Sequence, residues 1–315
     1  MVKYTLRRLA YLLPVLIGVT FVVFSIMYFT PGDAAAMRLG QEATQEQIDS
    51  MRDQMGLNDP FHIQYGRYII NAVQGDFGRS WRSNSPVISE ILARFPNTFV
   101  LSVAGMSIAI LIGVSLGVVS AVKQYSISDN IGMFFALFGV SVPNFWFGML
   151  TILLFSVFWN NQFGFSLFPS SGFDAGLRSL VLPALTLGTS SAAIITRMTR
   201  SAMLEVLSQD YIRFTRAKGL GERKIITRHA LSNALIPIIT VTGLQFGVLL
   251  GGAVFTETVF SFPGIGRLIV ESIRARDLPM VQGSVIFLAF VFSLVNLGVD
   301  LIYALVDPRI KAQYK

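Results

Sequence analysis

The 315-residue sequence contains no cysteine and only two histidines. The first absence excludes disulfides and thiolate chemistry. It says little about compartment, because a membrane protein with one external domain can do without bridges. The second argues against a metal centre: His62 and His229 are far apart, lack H-E-x-x-H spacing, and read as surface or interface residues. A phosphate loop is missing as well. The one candidate turn, Gly219-Leu220-Gly221, continues as Glu222-Arg223-Lys224, without the Ser or Thr that such a loop places on magnesium. Charged residues are scarce, at 14% against roughly a quarter in soluble proteins. With neither a nucleophile and its base nor a metal cluster, the chain reads as non-catalytic.

What is present is apolar sequence, 53% hydrophobic with a mean hydropathy of +0.60. Six uncharged runs, 9–29, 99–122, 131–159, 179–196, 234–256 and 280–299, reach bilayer length, since about 18 residues of helix cross ~30 Å of hydrocarbon. They predict an all-α integral membrane protein with six transmembrane helices. The first run follows Lys3, Arg7 and Arg8 as a signal peptide would, but its 21 residues exceed a signal core and no A-x-A-like site follows. It is read as an uncleaved helix. With the N-terminus inside, fifteen of the 25 Lys and Arg are cytosolic and four lie in short external loops; segment 30–97 is too long for the orientation rule. The predicted topology is N-in and C-in. The net charge of +7 therefore tracks membrane sidedness and lipid headgroups, with no nucleic-acid module to explain.

The expected organisation is a first helix at 1–29, a small helical extracytosolic subdomain at 30–97, a five-helix core at 98–306 and a cytosolic tail at 307–315. Within 30–97, Thr44 and Gln47 have capping-box spacing, Ile48, Met51 and Met55 follow at helical spacing, and Gly56 is a stop. Asn58-Asp59-Pro60 announces a second helix that Gly75 closes. Gly113 with Gly117, and Gly243, Gly247 and Gly251, have close-packing spacing, for helices of this chain or for a subunit interface. Pro143 should interrupt the third run, and Pro183 fits near the start of the fourth helix. Thr186, Thr189, Ser190 and Thr196 are candidates to line a translocation path, although such hydroxyls also bond back to their own helix. Helix-breaking residues 260–267, then Leu268, Ile269, Ser272 and Ile273, predict a short re-entrant amphipathic helix, and Asp277-Leu278-Pro279 caps the last span. That helix would narrow an outer mouth, making Glu257, Phe260, Phe262 and Pro263 candidate gate residues.

Ion-coupled secondary transport is the rival mechanism. It calls for ionisable groups near the bilayer midplane, and all six apolar runs are empty of charge; Glu257 and Asp300 sit at the ends of the fifth and sixth. Energy should then enter from a separate protein. The place for it is the polar stretch 204–233, about thirty residues on the cytosolic side with no chemistry of its own.

That stretch is recognisable. Asp210-Tyr211-Ile212-Arg213-Phe214-Thr215-Arg216-Ala217-Lys218-Gly219-Leu220-Gly221, continuing to His229–Pro237, resembles the cytosolic signature of ABC importer permeases, in particular the first permease of the dipeptide/oligopeptide (nickel) family. Further segments resemble that family in order: Thr30–Asp33, Gly75–Trp81, Val142–Trp146, Leu182–Gly188, Glu257–Gly266 and Asp307-Pro308-Arg309. The general importer motif begins Glu-Ala-Ala; aligned on Gly219, that triplet becomes Arg213-Phe214-Thr215, a departure common in peptide-type permeases. The resemblance implies a type I importer permease of the bacterial inner membrane, paired with a second homologous permease as a heterodimer. Two ATPase subunits would dock on the loop and use ATP and magnesium, while this chain binds no cofactor. An external binding protein would deliver peptides, with nickel complexes or glutathione as alternative cargo. Asp210, Tyr211, Arg213, Thr215, Arg216, Ala217, Lys218, Gly219 and Gly221 are the implied coupling residues: the segment before Gly219 would form a short helix that enters a groove on the ATPase, and the Gly219–Gly221 turn would reverse the chain so that Ile225, Ile226 and Leu231 lead back to the fifth span.

Overall fold

The structure, a computed structural model, describes residues 2–40 and 43–306; the Asp307-Pro308-Arg309 motif and the tail lie outside the described residues. In chain order the helices are α1 (Val2–Phe29), α2 (Ala34–Leu39), α3 (Gln45–Met55), α4 (Phe61–Val73), α5 (Val87–Val122) and α6 (Ile127–Ser141). Next, α7 (Asn144–Ile152) continues through a π-helical turn, Leu153–Phe158, into α8 (Trp159–Phe163). After α9 (Leu177–Leu207) and α10 (Asp210–Ala217), α11 (Glu222–Lys224) runs through a second π-helical turn, Ile225–Ala230, into α12 (Leu231–Val259). The described chain ends with α13 (Ile265–Arg274) and α14 (Leu278–Val306).

Among the described residues five helices are long and apolar enough to cross a membrane, and α6 with α7–α8 passes the same test only as a bent pair, which counted as one span gives six. The third apolar run is therefore not one straight span: its halves meet at 104°. Pro143 lacks an N–H and pushes Val142 into extended backbone, at φ −84° and ψ 126°, so the helix stops there. Pro183 lies in the second turn of α9, inside the helix. The larger correction concerns 204–233, which composition presents as a polar loop. It is mostly helical, because α9 reaches Leu207 and Ile212, Ile225 and Ala230 turn inward while the charged residues face out.

α9 is the axis of the bundle: 72% of its most apolar 18 residues are buried, against 11% for α1. α5 lies against it along glycines. A side chain at Gly113 would strike Ile195, and one at Gly117 would strike Thr199. Gly243 and Gly247 receive Val299 and Phe292 of α14 in the same way, whereas Gly251 has nothing within 4 Å. Four of the five spaced glycines thus serve packing within this chain, where backbone approach replaces the missing hydrophobic drive.

The segment after α1 has the predicted grammar. Thr44 and Gln47 form a reciprocal capping box, and Gly56 ends α3 in left-handed backbone. α4 lies back along α1, with Phe24 5.4–5.7 Å from the rings of Phe61, Tyr65 and Tyr68. The Tyr65 hydroxyl donates to the Ile17 carbonyl at 3.2 Å, and twelve helical residues from Phe29 correspond to about 18 Å. α4 is thus a flank of the bundle's outer half. The Tyr68 hydroxyl is buried there with no hydrogen-bond partner among the described residues.

Candidate functional site

α10 stands on one buried side chain. Ile212 is fully buried, while Asp210, Tyr211, Arg213 and Phe214 before the last turn are exposed. At 100° per residue, Tyr211, Phe214 and Lys218 share an outward face, and the Lys218 ammonium sits 4.6 Å from the Phe214 ring centroid. Phe214 exposes 63% of its surface. The Thr215 hydroxyl bonds back to the Tyr211 carbonyl at 2.6 Å, and Ala217 closes the helix. Gly219 then turns the chain at φ +79°, a conformation costly for any residue with a Cβ, and its N–H donates to Arg216 O at 2.9 Å. Gly221 is ordinary extended backbone, φ −64°. Arg216 reaches across the turn to Glu222 at 2.7 Å; both are well exposed, so this pair shapes the turn more than it stabilises it.

The foot of α10 connects to three spans. Ile212 belongs to a buried cluster with Ala121 of α5, Ala202 and Met203 of α9, Ile225 of the π-helical turn, and Ala234 and Ile238 of α12. Next to it, Arg200 of α9 forms a two-pronged ion pair with Asp129 at the start of α6, at 2.7 and 2.8 Å. Asp129 is 2% exposed and also accepts the Tyr125 N–H at 2.9 Å. Close packing thus ties α10 to α5, α9 and α12, and this pair ties α9 to α6.

The hydroxyls of α9 turn mostly toward their own helix. Thr186, Thr189 and Thr196 donate to the carbonyls of Leu182, Leu185 and Ala192 at 2.8, 2.6 and 2.8 Å. Thr186 and Thr196 are buried among this chain's helices, and Thr189 and Ser190 are half-buried. At the outer end, Phe260 and Phe262 are buried, Phe262 edge-on to Phe173 at 4.9 Å, and the Pro263 carbonyl accepts from the Asn97 side chain at 2.9 Å.

Glu257 organises this corner. Fully buried, it accepts the Thr98 hydroxyl at 2.6 Å and the Arg267 N–H at 3.0 Å, while Thr98 accepts the Ile265 N–H at 2.8 Å. A carboxylate at the first turn of α13 satisfies otherwise unpaired N–H groups and complements the helix dipole. Gly264 is required by contact, since a Cβ there would enter the carboxylate of Glu257. The next turn is latched too: Asp277 accepts from the Ser80 hydroxyl and from the Trp81 N–H at 3.1 Å. This joins the Gly75–Trp81 segment to the cap of α14.

Sequence patterns alone did not point to Thr98, Ser80 or the Asp129–Arg200 pair. Ser126 and Asp129, three residues apart at a helix start, were the available signal for one of them. The remainder are partners 71 to 197 residues apart, which no local pattern displays.

Comparison with known proteins gives the same picture. Residues 113–312 match the family described as the inner membrane component of binding-protein-dependent transport systems, and residues 1–102 match its N-terminal membrane component. The dipeptide transport system permease protein DppB of Alkalihalophilus pseudofirmus is 46% identical over 99% of this chain and 100% of its own length. The glutathione transport system permease protein GsiC of Escherichia coli K12 is 42% identical, with 99% of each chain covered. Among solved structures, an inward-facing MetNI methionine ABC transporter superposes with a TM-score of 0.59 at 18% identity, covering 71% of this chain and 99% of that one, a likeness of fold. The chain belongs to the family of binding-protein-dependent transport system inner membrane components, the membrane-spanning permeases of ABC importers.

Proposed function

We propose that this permease forms half of a path for small peptides and that α10 is the handle through which ATP hydrolysis elsewhere moves it. The observation that carries the reading is the exposed Tyr211, Phe214 and Lys218 face on a helix whose only buried anchor enters a cluster shared by α5, α9 and α12. An aromatic and basic surface on a rigid stem suits insertion into a groove of an ATPase subunit. A second homologous permease would complete the path, two ATPase subunits would bind ATP and magnesium, and this chain would bind no cofactor. An extracytosolic binding protein would present the cargo on the side of α13. Closure of the ATPase pair would push α10, and the bundle would exchange inward and outward openings as a packed unit.

Peptide cargo rests on the relatives named for dipeptide and glutathione transport, of which the dipeptide permease has the higher identity. Thr189 and Ser190 are the part-exposed hydroxyls of α9 able to face the path without unpacking, and α13, held by Glu257 and backed by Phe260, Phe262 and Pro263, would serve as the outer gate. The test is uptake into proteoliposomes holding the complete transporter, with binding protein outside and ATP inside. Labelled dipeptide should accumulate, and excess unlabelled dipeptide should suppress it more than glutathione or a nickel complex. Accumulation without ATP under an ion gradient would overturn the coupling, and preference for nickel would overturn the cargo.

A further inference from the structure

Where the outer ends of α1 and α14 meet the helices α2 to α4, the chain encloses a cavity of about 1060 Å³ that transport leaves without a role. Its apolar lining comes from Val23, Ile26 and Met27 of α1 and Val281 and Val285 of α14. The rim is polar and holds Asp33, Arg52, Asn58, Gln64 and Arg276, with Trp81 beside them. From Leu278 to Val285 the helix descends about 10 Å, so the polarity changes over the depth of a lipid headgroup and the first carbons of its chains. Trp is a residue that settles at that boundary.

The rim carries one uncompensated charge. Arg52 is neutralised by Asp33 at 2.8 Å. Arg276 is exposed in the turn between α13 and α14, held at φ +53° by its N–H bond to Ile273 O, and its guanidinium has no hydrogen bond or ion pair among the described residues. A ligand matching both features has an anionic head and apolar tails. We propose that this cavity binds one phospholipid, its phosphate on Arg276 and an acyl chain between α1 and α14.

The experiment is native mass spectrometry of the assembled transporter released from membranes into detergent. The unaltered chain should carry one phospholipid. Arg276→Ala should lower retention about fivefold, the weight of one arginine at a headgroup, and Arg276→Lys should restore it. Val285→Trp, which fills the apolar part of the cavity, should remove the lipid whatever its headgroup. Because the chain has no cysteine, Gln282→Cys gives a single site for a nitroxide, which lipid chains bearing a relaxation agent should broaden. Lipid retention unchanged in both Arg276→Ala and Val285→Trp would overturn the proposal. So would cross-linking of Gln282→Cys to the second permease.

Discussion

Two of the short helices outside the bundle's long spans, α13 and α10, are built on opposite plans. α13 is bound into the chain along one face and at both ends: five of its ten residues are buried, its N-terminus is held by Glu257 and Thr98, and its C-terminal turn is fixed by Asp277 and Ser80. α10 has eight residues, one of them buried, and displays its aromatic side chains to the outside. The contrast separates two kinds of part. A helix whose polar ends are satisfied internally is a structural element that moves only with its neighbours, whereas one left with unpartnered aromatics on a single foot is shaped for contact with another protein.

If that division is right, the largest loss of folding stability comes from the latch. Glu257→Ala leaves the Thr98 hydroxyl and the Arg267 N–H of α13 without their acceptor in a fully buried site. A cost of about 3 kcal/mol or more is expected. The thermal midpoint of the detergent-purified chain should fall by several degrees, and Glu257→Gln, which keeps an acceptor, should fall less. Equal losses from the two substitutions would mean that shape, not hydrogen bonding, holds α13.

Next comes the foot of α10. Ile212→Ala removes a fully buried side chain from the cluster with Met203 and Ile225, at about 2–4 kcal/mol. Because that cluster is local to the cytosolic end, the cost should appear as faster proteolysis around residues 208–222 and loss of transport, with membrane insertion unchanged. Global unfolding in place of local loosening would erase the distinction between the two helices.

These two sites also show what was readable beforehand. Hydrophobic runs marked the helices able to cross, the Thr44–Gln47 box and Pro143 marked true boundaries, and the glycine spacing marked the close-packed face of α5 without naming α9 as its partner, because each is a signal carried within a few turns of one helix. The polar stretch 204–233 was legible as structure only through the family resemblance, which implied the short helix before Gly219 and the turn at it; composition alone showed neither. Its two inward isoleucines are too few to outweigh the surrounding charge in any composition window, and the packing of Ile212 on Ile225 is visible only in the structure. The latch escaped because its members, Thr98 and Glu257, are 159 residues apart, and an acidic residue at a span end reads equally well as a solvated anchor.

A smaller effect is expected at the turn after α10. Gly219 adopts φ +79° in open space, with nothing within 4 Å of the point a Cβ would occupy. Gly219→Val therefore meets no clash and costs only backbone strain, about 2 kcal/mol at most. Transport should fall well beyond what that strain does to the fold, since a turn of altered angle misdirects Tyr211 and Phe214. ATP hydrolysis by the reconstituted complex should persist while dipeptide uptake drops.

The smallest structural effect, and the sharpest test of the comparison, is Phe214→Ala. The ring is 63% exposed, and the Lys218 ammonium sits 4.6 Å from its centroid. An exposed cation–π pair contributes roughly 0.5 kcal/mol, so the thermal midpoint should move by about a degree or less. An aromatic anchor in a protein groove is different, because its truncation commonly costs about 2 kcal/mol or more of binding, which corresponds to a roughly thirtyfold weaker complex. Co-purification of ATPase subunits with the permease should fall accordingly while the permease itself stays intact. A variant that keeps full assembly would show that the exposed face of α10 is not the contact, and the likeness between exposure and function drawn from these two helices would fail at its outer member.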